Sequence, residues 1–193
     1  MIPNGDMAVA WRYCPCESPF LRQGEIIEDV VELIPLLETS SINEGKIPVQ
    51  KDPHKYSIVV SQGCDLEWDY RVRQGDQSVP EHKLLRHVLF CDLFAKDYVR
   101  DFSNLKSSEL FGRVVGNQNI RFHHLAEASI GDTSETIPEL IADFKSTFSL
   151  PCDYVYWLID AGQSTRKGYM PAPYLQDFMQ RLHSFLSRVA LPD

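Results

Sequence analysis

The chain has no apolar run approaching the roughly eighteen residues that a membrane-spanning helix needs. Its opening stretch, MIPNGDMAVAWRYCPC, lacks the basic region and apolar core of a secretory leader, which points to the cytoplasm. Positive charge is scarce: 19 lysines and arginines against 27 aspartates and glutamates leave a formal net charge of −8. That balance disfavours a surface devoted to gripping phosphate backbones, because such a grip comes from clustered Lys and Arg displacing counterions. There is no phosphate loop of the Gly-x-x-x-x-Gly-Lys-Ser/Thr type, no strand-coupled GxGxxG and no HExxH. P-loop hydrolysis, dinucleotide chemistry and zincin proteolysis are therefore disfavoured. The five cysteines are odd in number, which argues for reduced thiols rather than a disulfide framework. Cys91 and Cys152 lie in apolar, strand-like surroundings and are expected to pack as small hydrophobes.

What is present is enough for a real core: 44% hydrophobic and 11% aromatic residues in a chain of 193 that suits one domain, 1–193. Residues 26–37 (IIEDVVELIPLL) are rich in β-branched side chains and read as strand. Residues 38–55 (ETSSINEGKIPVQKDPHK), punctuated by Gly45, Pro48 and Pro53, read as a polar loop. YSIVVSQ, residues 56–62, is a short, nearly continuous run of β-formers and reads as a buried strand ending at a turn signalled by Gly63. Residues 69–82 read as a loop or hairpin excursion. KLLRHVLFCDLF reads as a second strand, and residues 95–117 as helical material with Ser107 or Ser108 as cap and Gly116-Asn117 as stop. Strands are expected at NIRFHHLAEA and ELIADFKSTFSLP. From Pro173 the apolar positions Leu175, Phe178, Met179, Leu182, Phe185, Leu186 and Val189 describe an amphipathic helix over about 173–190. The expected fold is α+β: an SH3-like small β-barrel or strongly bent antiparallel sheet spanning about 20–151, with helical insertions and the packed C-terminal helix.

RQGEII, YSIVVSQGCDL, HKLLRHVLFCDLF, RFHHL and IADFKSTFSLP together resemble uncharacterised prokaryotic proteins with a Ser-Gln-x-Cys-Asp motif and, more distantly, the PemK/MazF toxin barrel. Gly24-Glu25-Ile26 and Val59-Val60-Ser61 match that layout. The Arg-Pro that those toxins usually carry before their central strand is absent from HKYSIVV. The resemblance implies a prokaryotic conflict system, either phage defence or toxin-antitoxin. Within it two functions are expected: a non-catalytic interaction or regulatory module with a protein partner, or a metal-independent endoribonuclease acting on RNA.

Ser61, Gln62, Cys64 and Asp65 are the candidate catalytic residues under the ribonuclease alternative. Cys64 is open to two readings, a nucleophile activated by one of the histidines or a thiol packed into a tight turn. Under the interaction reading the polar face of the C-terminal helix, with Gln176, Gln180, Arg181 and Arg188, is the partner-binding surface. Cys14 and Cys16 with Cys64 and a histidine make a poor zinc set, since CxC chelates less well than CxxC and a second close pair is missing. No metal and no cofactor are expected. The neighbours His123 and His124 should face opposite sides of a strand, and Arg71, Arg73 and Arg113 are the candidate cations of a local site.

Overall fold

The computed structural model describes residues 12–36, 47–102, 105 and 107–188. Its centre is a six-stranded sheet made of β1 (Glu25–Pro35), β2 (Val49–Val59), β3 (His87–Ala95), β4 (Phe122–Leu125), β7 (Leu140–Pro151) and β8 (Thr165–Tyr169). The strand order is β4-β7-β3-β2-β1-β8, and each pairing is antiparallel. β5 (Ala128–Ser129) and β6 (Thr136–Ile137) form a separate small ribbon.

Of the two expected forms, no closed barrel is found among the described residues; the α+β fold has an antiparallel sheet that is open, with β4 and β8 as its edges. The reason lies in the strands themselves. Ile26 and Ile27, like Ile58 and Val59, are neighbours that point to opposite faces, and all four are fully buried. A small closed barrel buries one face of each strand, whereas these strands need cover on both. One face packs Ile26, Ile58, Cys91 and Ala142 against Phe178, Leu182 and Phe185 of the C-terminal helix α5 (Tyr174–Leu186). The other packs Ile27, Val59, Val88 and Phe90 against Leu66 of α1 (Gly63–Arg73) and Cys152 and Val155 of α4 (Cys152–Asp160). A third cluster joins Phe122 and Ile141 to Val99 of α2 (Lys96–Phe102) and to Phe111 and Val114 of α3 (Ser108–Val115).

Several boundaries move from their expected places. Residues 63–73 are helix rather than turn and loop, although only Leu66 and Asp69 of α1 are buried. Cys152 opens α4 instead of ending a strand, and β8 places sheet beyond residue 151. α3 is capped as expected: the Ser107 hydroxyl accepts the Leu110 N–H, and Gly116 closes the helix. α5 ends at Leu186, and the expected continuation to residue 190 runs outside the described residues after Arg188. Among the described residues no helix is long and apolar enough to cross a membrane.

β1 and β2 extend past the rest of the sheet. β8 pairs with β1 over Glu25–Glu28, and β3 pairs with β2 over Tyr56–Val59. Beyond these limits Val30–Pro35 and Val49–His54 pair with each other as a two-stranded arm. Pro53, which has no N–H to give to a ladder, is tolerated because that side of β2 is an edge.

Candidate functional site

Ser61 to Asp65 link the end of β2 to the start of α1. The Val60 N–H donates to the Leu89 carbonyl at 2.9 Å, and the Ser61 hydroxyl accepts the Leu89 N–H at 2.9 Å. Ser61 thus extends the β2–β3 ladder by one side-chain bond. Gln62 is the N-cap residue in extended conformation, and its side chain makes no capping hydrogen bond. Asp65 lies in the first turn, where a carboxylate meets the positive end of the helix dipole. Cys64 is exposed rather than packed inward, and its sulfur lies 3.9 Å from both Gln62 Oε1 and Asp65 Oδ1. Among the described residues no arginine, lysine or histidine hydrogen-bonds or ion-pairs with any of these four side chains.

The candidate cations are engaged elsewhere. Arg71 binds Asp76 and Ser78, and Arg113 lies 3.8 Å from Glu109. Arg73 binds the fully buried Asp69 at 2.8 Å, the Leu85 carbonyl at 3.1 Å and Asp153. Asp69 also accepts the Leu85 N–H at 2.8 Å and the Cys152 thiol at 3.1 Å. Burial, reinforced by that bond, pushes the Cys152 thiol up to about 12, far from the thiolate that nucleophilic chemistry needs. Cys16 is pushed up to about 12 by burial and by the neighbouring Glu25 carboxylate.

On α5, Gln176 and Gln180 are exposed. Arg181 is not available to a partner: its guanidinium donates to the carbonyls of Asn117, Asn119 and Phe122, tying α5 to the α3–β4 loop. Arg188, just beyond the helix, donates to the Phe185 carbonyl at 3.0 Å and lies 4.0 Å over the Phe185 ring. Gly24, in the turn just before β1, supports the same packing. Its φ of +81° suits glycine, and a Cβ there would come within 2.7 Å of Leu175.

His123 and His124 do face opposite ways. His123 is 5% exposed and sits edge-on to Phe178 at 5.1 Å, whereas His124 bonds Glu139 at 2.7 Å.

Two arrangements escape a reading of the linear chain. The first is on α4, where Trp157 is 56% exposed and stacks on Tyr154 at 5.8 Å. Trp157, Tyr156, Tyr70, Asp153 and Asp160 line a groove of about 620 Å³. The second is at the base of the arm. His54 Nδ1 lies 2.8 Å from Asp92 on β3, its ring stacks on Phe148 of β7 at 4.0 Å, Glu32 Oε2 lies 3.6 Å from its Nε2, and donor atoms of Glu32, Asp52 and His54 lie within 4.8 Å of one another. His54, Asp92 and Asp52 also border a cavity of about 570 Å³. Burial by itself would lower the His54 pKa, but the Asp92 bond and the charges of Asp92, Asp52 and Glu32 hold it above its ordinary value.

Comparison with protein-family models, with curated proteins and with solved structures finds no match.

Proposed function

We propose that this protein is an interaction module that binds a basic segment of a protein partner through the α4 groove. The carrying observation is the half-exposed Trp157 stacked on Tyr154 beside Asp153 and Asp160. Trp and Tyr are the side chains most often found at the energetic centre of protein interfaces. Their ring faces attract a lysine or arginine head. Arg73 at the groove is already neutralised by Asp69 and Asp153, so the free charge there is acidic. Such a groove suits a cationic peptide and repels a phosphate backbone. The conflict-system setting implied by the Ser-Gln-x-Cys-Asp resemblance remains the proposed biological context. The exposed Gln176, Gln180 and Arg188 of the opposite face form the second surface to test.

The test is capture of the partner from cells of the source organism by the tagged chain, followed by binding of the purified pair. Trp157→Ala and Asp160→Lys should each weaken the complex at least tenfold, the loss typical of a central interface residue. A triple Gln176→Ala, Gln180→Ala, Arg188→Ala variant should bind as the parent does. Loss in the triple variant alone would move the interface to α5. RNA cleavage that disappears in Asp65→Ala would replace the reading with the ribonuclease one.

A further inference from the structure

The arm brings three donor side chains together by register alone. Glu32 on β1 is the cross-strand partner of Asp52 on β2, and Asp52 and His54 are two residues apart on one strand. One donor atom from each lies within 4.8 Å of the other two. The His54 side chain is only 9% exposed, and its Nε2 is buried without a hydrogen-bond partner. A carboxylate can only accept, so the 2.8 Å contact with Asp92 puts the proton on Nδ1. A second proton on Nε2 would face Glu32 Oε2 at 3.6 Å, too far for a hydrogen bond. Nε2 is thus directed at Glu32 with no hydrogen bond of its own, a position where an ion can replace a proton.

We propose that Glu32, Asp52 and His54 bind a divalent transition-metal ion of the zinc class, with Asp92 as the positioning residue behind the histidine. Two carboxylates and one imidazole balance a dication and match the O and N donors that zinc accepts. Donors about 2.1 Å from a tetrahedral ion lie about 3.4 Å apart, close to the 3.6 Å between Nε2 and Glu32 Oε2. A carboxylate on the far ring nitrogen is the usual support of a metal-bound histidine, since it fixes the ring and raises its basicity. Here Phe148 also holds the ring from one side. Three protein donors leave a coordination position free, as in catalytic rather than structural zinc sites. His54 is anchored to β3 and β7, so an ion would also fasten the arm to the sheet.

The test uses the full chain after chelator treatment, titrated calorimetrically with zinc chloride and, separately, with manganese and magnesium chlorides. Zinc should bind saturably at one equivalent and more tightly than magnesium. Glu32→Gln and Asp52→Asn keep the side-chain shapes and should each weaken zinc at least tenfold, with unchanged circular dichroism; Asp92→Asn should weaken it about tenfold. Hydrogen exchange at Val30–Pro35 and Val49–His54 should slow on zinc addition in the parent and not in Asp52→Asn. A Cys14→Ser, Cys16→Ser chain should bind as the parent does. Absence of one-equivalent binding would overturn the proposal. So would affinity that survives both acid variants, loss confined to the cysteine variant, or tighter binding of magnesium.

Discussion

His54 and His123 are both shielded from solvent, and each has a ring nitrogen with no hydrogen-bond partner. Their surroundings are opposite. His54 stands among Asp92, Asp52 and Glu32, which hold its pKa above the ordinary value against the effect of burial. His123 stands among Phe144 and Phe178. Burial first, and then the charges of Arg181 on α5 and His124 on its own strand, push it down to about 3. Burial and an orphaned nitrogen are therefore not enough to mark a functional histidine. What surrounds the ring decides: carboxylates at the arm, aromatic rings in the core.

The largest effect that separates the two is on stability against pH. His123 stays neutral in the folded chain, while in the unfolded chain it takes a proton below its ordinary 6.5. Stability is therefore full above 6.5, declines as pH falls, and stops declining on this account near 3. One such group contributes a slope of up to about 1.4 kcal/mol per pH unit. Between 6.5 and about 5, above the ordinary carboxylate range, the loss should reach about 2 kcal/mol. Urea unfolding across that window measures it, and His123→Leu should flatten the curve. A slope that persists in His123→Leu would remove His123 as the origin and break the contrast.

A smaller effect is expected at the arm. In chelator, His54→Phe keeps an aromatic ring against Phe148 but leaves the mostly buried Asp92 carboxylate without its partner. The expected cost is about 1–2 kcal/mol by urea unfolding. Unchanged or raised stability would mean that the orphaned Nε2 costs as much as the Asp92 bond contributes, which would leave metal binding as the stronger reason for a histidine there.

The contrast also explains what could be read from the chain. Strands β1, β3 and β7, the Tyr56–Val59 end of β2, the Ser107 cap and the C-terminal helix carry local signals: β-branched runs, an N-cap serine, apolar positions three and four apart. Residues 49–55 of β2, expected as polar loop, are strand because they pair with β1, and their polar sequence gives no local sign of that. α1 carries no local signal either, because it is fastened through the polar pair Asp69 and Arg73 and buries only Leu66 beside Asp69. In α4 the compact apolar and aromatic run CDYVYWLID looks as much like strand as helix. β8 (TRKGY) is polar, and Arg166 earns its place by binding the fully buried Glu25, far away in the chain. Glu32 and Asp52 are twenty positions apart and meet through the β1–β2 register. The SQGCD segment drew attention for the opposite reason: its polar residues are contiguous in sequence, but Ser61 turns to the β2–β3 ladder while Gln62 and Asp65 meet at the Cys64 sulfur, with no cation beside them among the described residues.

That lack of a cationic partner sets the smallest expected effects. Ser61 has one intramolecular task, accepting the Leu89 N–H, and Ser61→Ala should cost about 1 kcal/mol, the net worth of one hydrogen bond. Asp65 has only the favourable end of a helix dipole at an exposed first turn, so Asp65→Ala should cost about 0.5 kcal/mol. Paired urea curves for the two variants, with partner binding measured on the same samples, separate architecture from function. If the motif serves the fold, both variants bind the partner as the parent does. If Asp65→Ala leaves the urea midpoint in place yet abolishes binding or a nuclease activity, the carboxylate is there for chemistry outside the chain. In that case the missing cation would be no sign of idleness, because an exposed helix start can complete its constellation with groups that a partner supplies.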